Sequence, residues 1–427
     1  MEKVFRPKFF SLLKHGFTTE QLSRDIMAGL VVGIVALPLA IAFAVASGVS
    51  PEKGIITGAI AGFIIALLGG SRVQIGGPTG AFVIIVFSIV AKYGINGLVI
   101  STIMAGIIMI IFGLLRLGAL LKYFPHPLVI GFTSGIALVI FSIQVKDALG
   151  FTATDIPAQF ISRWSYYASS LHSANLTAMI ITVVTILVTV ASKRFTKRVP
   201  GSFIAIVLIS LLVAVAGLDV PTIGSFFGEI GGRIKFELPS LDFSGLGNYL
   251  QPALTIALLG SIESLLSAVV ADGMISGNHR SNTELIAQGI ANIVTPLFGG
   301  IPATGAIART ATNVKNGART PVAGMVHSLT LLLLLLFFGR WASYIPMSCL
   351  AGILIVVAYN MSEWRSFTSL LKGSSFDIIV LLSTFFLTVL VDLTVAIEIG
   401  IVLSAFLFMK GWQISGTRDY LPRWIQT

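Results

Sequence analysis

The sequence predicts an all-α membrane protein of 14 transmembrane segments in two inverted seven-segment repeats, with half-helices at segments 3 and 10. Composition is the first reason: the 427 residues are 55% hydrophobic and 11% charged, with mean hydropathy +0.95, too few polar residues to solvate a soluble surface of that size. Self-similarity is the second. At an offset of about 225 residues Thr79-Gly80-Ala81 falls on Thr304-Gly305-Ala306, and Val45-Ala46-Ser47-Gly48 on Val270-Ala271-Asp272-Gly273. At about 221, Tyr123-x-Pro125 falls on Tyr344-x-Pro346 and Gly131 on Gly352. The third is that hydrophobic segments are interrupted by Gly and Pro at matching places in the two halves, a pattern that points to a secondary transporter with its site at the interruptions.

Apolar runs lie at roughly 26–47, 54–69, 80–91, 97–115, 127–145, 176–192, 201–217, 252–271, 284–297, 305–312, 321–338, 346–358, 376–391 and 394–410. A helix needs about 20 residues to cross the hydrocarbon. The third and tenth runs fall short and are equivalent in the duplication, so they read as half-helices. Seven is odd, so the second copy enters from the opposite side and the repeat is inverted.

The formal charge is +10, but the basic residues sit in short clusters between apolar runs, without the stripe or aromatic platform that nucleic acid requires. Loop orientation accounts for them. With the amino terminus inside, about 21 Lys/Arg fall on cytoplasmic loops and ends and about 7 outside, including Lys193-Arg194, Lys197-Arg198, Lys410, Arg418 and Arg423 on the inner side. Both termini are then cytoplasmic, and the connections 146–175 and 218–250 face outward. Residues 1–25, with Lys3, Arg6, Lys8, Lys14 and Arg24 among Phe and Leu, read as a cytoplasmic amphipathic lead-in; no cleavage site follows a short apolar core, so a removed signal peptide is not expected. One cysteine, Cys349, excludes an intrachain disulfide and a Cys-rich metal site.

The chemistry concentrates at the interruptions. Gly76-Gly77-Pro78-Thr79-Gly80-Ala81-Phe82 precedes the third segment, and Gly299-Gly300-Ile301-Pro302-Ala303-Thr304-Gly305-Ala306-Ile307 the tenth. Pro removes a donor and Gly permits a sharp turn, so each run can be extended and then start a helix, with the Thr near the cap. Two helix amino termini at membrane depth expose free amides and about half a positive charge each, which binds an anion. Arg309, about one turn into the tenth segment, either serves that site or snorkels to the cytoplasmic surface. Helix ends plus Arg309 sum to roughly two positive charges, which suits a small mono- or divalent oxyanion.

Glu263 lies mid-segment in Ser261-Ile262-Glu263-Ser264-Leu265-Leu266-Ser267, opposite Pro38 in the repeat. An intramembrane carboxylate reads as an ion pathway or proton relay, the alternative being a structural pair with Arg309. Ser264 and Ser267 are positioned to orient it, although such hydroxyls often bond their own backbone. Glu398, Asp392 and Gln144 read as local pairings, and Gln288 and Asn292 as helix-packing polar groups. Gly58-x-x-x-Gly62 and Gly131-x-x-x-Gly135 permit close helix packing. His126, His172, His279 and His327 lack metal-ligand spacing, no glycine-lysine phosphate loop is present, and no nucleophile–base pair stands out. The sequence therefore calls for no metal, cofactor or enzymatic activity.

The run Asn282 to Asn292 (Asn-Thr-Glu-Leu-Ile-Ala-Gln-Gly-Ile-Ala-Asn), then Phe298 to Thr310, and Asn313 with Gly317-Ala318-Arg319-Thr320-Pro321, closely resembles the sulfate permease (SulP) family of anion transporters, of the solute carrier 26 type. Val35-Ala36-Leu37-Pro38-Leu39-Ala40 and Gly76-Gly77-Pro78-Thr79-Gly80 fit it too, so the resemblance covers essentially the whole chain. It implies a transport domain over 26–425, in which a core (26–122 and 252–340) moves against a gate (123–251 and 341–412), followed by a cytoplasmic tail at 413–427. It also implies a homodimer in a bacterial inner membrane, and substrates such as sulfate, bicarbonate, chloride, oxalate or C4-dicarboxylates. Family members usually continue into a cytoplasmic STAS domain, which is not expected within the about 17 residues that follow the last apolar run. In sodium-coupled bicarbonate members an Asp stands at Glu263, a Thr at Ser267, and Gly-Ala-Thr at Gly305-Ala306-Ile307, so the oxygen set for a sodium cage is reduced here and a proton is the expected coupling ion in preference to sodium. Ile262 to Leu266 and Asp272-Gly273-Met274 look most like bacterial dicarboxylate-transporting members, and Leu39 departs from the Gln of many eukaryotic sulfate transporters.

The expectation is a proton-coupled anion symporter working by elevator alternating access. Backbone amides of Thr79, Gly80, Ala81, Gly305, Ala306 and Ile307 with Arg309 hold the anion, Phe43 and Phe82 wall the pocket, and Glu263 with Ser267 serves the coupling ion. The alternatives are a sodium-coupled bicarbonate transporter, an anion channel, exchanger or voltage-responsive motor of the same family, and a carrier of neutral or weakly acidic substrates like the related nucleobase permeases, against which Arg309 argues.

Overall fold

A computed structural model describes residues 5–14, 16, 18–118, 126–151, 156–157, 159–195, 201–228, 236, 246–391 and 399. The fourteenth expected run, Asp392, Glu398, the Tyr123-x-Pro125 match, Lys197-Arg198 and the tail at 413–427 lie outside them. Every run from the first to the thirteenth coincides with helix. In order these are α1 Lys8–Leu13, α2 Thr19–Ala46, α3 Pro51–Leu68, β1 Gly76–Gly77, α4 Gly80–Leu114, α5 His126–Ala148, α6 Phe160–Ser169, α7 Leu176–Phe195, α8 Gly201–Ala216, α9 Ile223–Phe227, α10 Leu246–Ile275, α11 Ser281–Leu297, β2 Thr304–Gly305, α12 Ile307–Lys315, α13 Val322–Ala342, α14 Met347–Met361, α15 Trp364–Leu370 and α16 Ser375–Leu390. Among the described residues seven helical stretches are long and apolar enough to cross a membrane.

Local chemistry sets the boundaries. Thr18 caps α2 by accepting the Gln21 amide at 3.3 Å, Pro51 opens α3, and Ser374 caps α16 by accepting the Asp377 amide at 3.2 Å. Gly94 at φ 69° breaks α4 in two. At about 1.5 Å rise per residue the piece 80–93 is about 21 Å long and α12 about 14 Å, against about 30 Å of hydrocarbon, so both are half-helices in length. The glycine pairs serve packing: Gly58 and Gly62 face Leu331 and Ser328 of α13, while Gly131 and Gly135 face Leu381, Thr384 and Thr388 of α16. The connection 146–175 is not simply polar loop, because it carries α6, whose Tyr167 donates to the Ser142 carbonyl at 3.0 Å.

Packing divides the helices into two sets. α2, α3, α4, α10, α11, α12 and α13 pack mainly on one another, as do α5, α7, α8, α14 and α16, and the sets meet chiefly where α2 and α4 touch α5, α8 and α14. The first is named the core set and the second the gate set. The main apolar cluster lies around α2, α3, α4 and α10.

Two carboxylates unremarked in the sequence stitch the first set together. Asp25, fully buried, accepts the Arg319 and Thr320 amides at 2.8 and 3.2 Å and the Thr320 hydroxyl at 2.6 Å, tying the start of α2 to the entry of α13. Glu284, also fully buried, accepts the Gly70 and Ser71 amides at 2.8 and 3.1 Å and the Gln288 side-chain amide at 3.0 Å. The stretch before α2 docks beside it: the Lys8 amide donates to the Gly69 carbonyl at 3.0 Å, and Arg280 donates to the Arg6 carbonyl and to Ser11 Oγ. Burial, then the like charges of Arg280 and Arg72, push the Lys8 ammonium below its usual pKa. The α10–α11 connection also holds a side-chain series absent from the sequence expectations. Asp272 Oδ2 lies 2.6 Å from His279 Nδ1, and Ser281 Oγ lies 2.9 Å from His279 Nε2. Its imidazole is buried, with the side chain 5% exposed, and Asp272 also accepts the His279 amide at 2.7 Å, so the series clasps the turn.

Replacing Asp25 with Ala leaves two buried amides and a hydroxyl without acceptors. The expected loss is about 2–4 kcal/mol of stability, less for Asp25→Asn, which keeps one acceptor. Denaturant or thermal unfolding of the detergent-solubilised chain measures it; an unchanged midpoint for Asp25→Ala would contradict the assignment of this tie.

Candidate functional site

The two interrupted segments meet. β1 and β2 pair antiparallel, Gly76 opposite Gly305 and Gly77 opposite Thr304. These dipeptides come from the two interrupted segments, about three residues apart in the repeat register, and each runs within two residues into a helix.

One face of α12 holds the strand that leads to α4. Asn313 Nδ2 donates to the Val73 carbonyl at 2.9 Å, the Ile75 amide donates to Thr310 Oγ1 at 3.0 Å, and Arg309 donates through Nη2 to the Pro78 carbonyl. Residues three and four apart lie on one side of a helix, so Arg309, Thr310 and Asn313 form a single polar edge. That spacing was a signal available in the sequence. The second strand has its own clamp: Asn292 Nδ2 donates to the Ala303 carbonyl at 2.8 Å and Asn292 Oδ1 accepts the Ala303 amide at 2.8 Å. Asn292 is therefore more than the helix-packing group expected of it. Gln74 carried no signal at all. Its Nε2 donates to the Ser264 carbonyl and hydroxyl at 3.1 and 2.9 Å, and a Cβ on Gly305 would lie 1.5 Å from it, so only glycine fits there.

The sequence-derived residues sort as follows. Thr79 is the N-cap of α4 by backbone, but its hydroxyl donates to Glu263 Oε2 at 2.9 Å instead of capping. Gly80 and Ala81 follow in the first turn, where an amide has no acceptor within the helix. Ile307 holds the same place in α12. The Ala306 amide donates to the Ile75 carbonyl at 2.9 Å, so it is unavailable to a ligand, contrary to expectation. That bond flanks the Gly76–Gly305 pair and makes it the non-hydrogen-bonded type, which leaves the Gly305 amide turned away from β1. Thr304 is not at the cap of α12, which is Ala306; its hydroxyl donates to the Gly260 carbonyl at 2.8 Å.

Phe43 lies against the amino end of α4, with Cε1 3.3 Å from where a Cβ on Gly80 would be. Phe82 does not wall an opening: it is 1% exposed and packs on Gly260. Ser267 donates to Thr310 Oγ1 at 3.2 Å, while Ser264 binds Gln74 and donates to Glu284 Oε1 at 3.4 Å. Both serines thus brace the strand leading to α4, and the hydroxyl bonded to Glu263 is that of Thr79.

Arg309 does not snorkel. It is 3% exposed, its Nη1 has no partner among the described residues, and that nitrogen lies 2.7 Å from where a Cβ on Gly77 would be. Nor does it pair with Glu263, since no salt bridge joins them. A buried guanidinium with one free nitrogen, two helix amino ends and a half-buried carboxylate therefore share one small region. The arrangement offers donors to an anion and a single acceptor group that can carry a proton. An apolar cavity of about 540 Å³ between α5, α14, α15 and α16, lined by Phe141, Phe367, Phe385 and Phe386 among others, presents no charged group among its described lining.

Comparison with known proteins identifies the family. The model of the sulfate permease family matches residues 22–384. The chain is 45% identical to "Putative sulfate transporter YvdB" of Bacillus subtilis (strain 168), over 92% of this chain and 75% of that protein. It is 32% identical to the bicarbonate transporter BicA of Picosynechococcus sp. (strain ATCC 27264 / PCC 7002 / PR-6), over 90% of this chain and 70% of that one. Among solved structures, the transmembrane domain of a cyanobacterial BicA superposes with a TM-score of 0.80 at 29% identity, covering 89% of this chain and 98% of that domain. SLC26A9 shares the fold, with a TM-score of 0.85 at 18% identity, over 94% of this chain and 67% of that one. With a family match over residues 22–384 and 45% identity to a relative covered to 75%, this chain is an integral, multi-pass membrane protein that belongs to the sulfate permease family of anion transporters.

Proposed function

We propose that the chain is a secondary active transporter that couples uptake of a small oxyanion to a proton, with the core set of helices sliding against the gate set. The observation that carries this reading is the free, buried Nη1 of Arg309 at the meeting point of the amino ends of α4 and α12. The Gly80, Ala81, Gly305 and Ile307 amides complete the cradle. A buried guanidinium with no direct salt bridge is costly, and an anionic ligand on its free nitrogen offsets that cost.

Charge arithmetic links the proton to the anion. Two helix ends of about half a charge each and Arg309 give roughly +2 when Glu263 is protonated and about +1 when it is ionised, so a divalent oxyanion is held best with the proton aboard. A sodium cage has less support. Hard cations take six to eight oxygens in the calcium case and several in any, whereas Ser267 and Thr304 bond elsewhere and Thr79 alone bonds Glu263 through its hydroxyl. Similarity to proteins named as sulfate and as bicarbonate transporters favours that substrate class, with C4-dicarboxylates as the further candidate. The same reading takes the protein as a homodimer of the bacterial inner membrane with cytoplasmic termini.

Labelled-anion uptake into proteoliposomes, competed with bicarbonate, sulfate and fumarate, with and without sodium and a pH gradient, tests it directly. Saturable uptake that rises as the outside is acidified, independent of sodium, with countertransport, is expected. Conductance without saturation would make the chain a channel, and strict sodium dependence would remove the proton.

Glu263→Gln should abolish the response to the pH gradient while sparing exchange at fixed pH; an unchanged pH response would remove Glu263 from coupling. Arg309→Gln should weaken anion binding at least about tenfold. Arg309→Lys should recover only part, because an ammonium cannot hold the Pro78 carbonyl and present a second fixed donor together.

A further inference from the structure

Met361, the last residue of α14, belongs to the gate set, yet it reaches the amino end of α4 in the core set. A Cβ on Gly80 would meet Met361 Sδ at 2.8 Å and Cε at 3.1 Å, with Phe43 Cε1 next at 3.3 Å. Gly80 is the first residue of α4 after its cap, so the thioether and the Phe43 ring lie beside the residue that carries the first free amide of that helix.

The end of α14 is held from the gate side. Ser134 Oγ of α5 donates to the Ser362 carbonyl at 2.5 Å, and the Ser362 amide donates to the Ala358 carbonyl at 2.9 Å. Met361 is thus presented by one set of helices to the other beside the helix end proposed to hold the anion. A thioether gives no hydrogen bond to an anion, but its unbranched, three-torsion side chain adapts to the space it fills. It can exclude water from a small ligand and obstruct a long one.

Resting on the transport reading above, we infer that Met361 is the specificity-determining lid of the cradle, and that it restricts the site to compact, single-centre oxyanions of sulfate or bicarbonate size against extended dicarboxylates. Gly80 is the matching constraint, because any side chain there occupies the position of the lid. In alternating access the Met361–Gly80 contact is one that sliding of the two sets must break.

The test uses the full chain in proteoliposomes, with sulfate uptake competed by fumarate. Met361→Ala should raise the potency of fumarate relative to unlabelled sulfate at least about tenfold, and Met361→Leu, which conserves volume, should hold that ratio near the parent value. Gly80→Ala should lower sulfate uptake several-fold while still reaching the membrane, and Gly80→Ala with Met361→Ala should restore most of it, because the second change removes the two nearest atoms that the new methyl meets. An unchanged competition ratio in Met361→Ala, or no restoration in the double variant, overturns the lid. A parent chain that takes up none of these anions overturns the transport reading itself, a different outcome from a parent that transports with a Met361→Ala variant of equal selectivity.

Discussion

The antiparallel crossing of Gly76–Gly77 with Thr304–Gly305 is the constraint on which the site depends. Two residues per strand supply little free energy, so the crossing holds only because its surroundings supply further bonds. α12 contributes Asn313, Thr310 and Arg309 along one edge, and Asn292 grips the second strand from α11. Glu284 in turn fixes the Gly70–Ser71 turn that feeds the first strand, and Ser264 links that carboxylate to Gln74. Side chains from α10, α11 and α12 therefore aim both helix ends at one place. Removing the free backbone amides from water is tolerable there because a ligand replaces the water; elsewhere in a membrane chain it would be a liability.

Much of this was legible in the residues, and the parts that were not share a cause. Apolar runs gave the helices and Gly/Pro interruptions gave the half-helices, because both are statements about neighbours in the chain. Arg309 and Glu263 stood out as charges inside apolar segments. Asp25 and Glu284 did not, because each lies near a helix start where a carboxylate is unremarkable, and its partners are distant: Asp25 meets Thr320, and Glu284 meets Gly70. Gln74 was equally silent. Among the assignments that the structure altered, those of Ala306, Phe82, Ser264 and Ser267 depended on which way a group points, and a repeat in sequence does not carry that information. Ala306 shows it well: the register of a two-residue pairing decides that its amide is used and that the Gly305 amide is not.

The two halves contribute unequally to the electrostatics. The first gives α4 and the Thr79 hydroxyl; the second gives α12, Arg309 and Glu263, whose repeat mates are Ile84 and Pro38. A perfectly symmetric site would carry two helix ends and no titratable group. The departures from symmetry add a fixed cation and a titratable carboxylate beside the two helix ends, and the proposed dependence of anion loading on proton loading rests on that pair.

The proposed coupling depends on the absence of a direct salt bridge between the two charges. Had Arg309 and Glu263 formed a direct ion pair, each would satisfy the other in the empty site, and an anion would have to break the pair to bind. The Thr79 hydroxyl holds Glu263 at the mouth of α4, and the Pro78 carbonyl holds Arg309 behind it, so the backbone between residues 78 and 79 keeps them apart. Pro78 is suited to that task because it has no N–H to compete for the carboxylate and its φ is fixed. The proline that interrupts the segment therefore does more than start a helix: its carbonyl anchors the cation, and its neighbour anchors the acid.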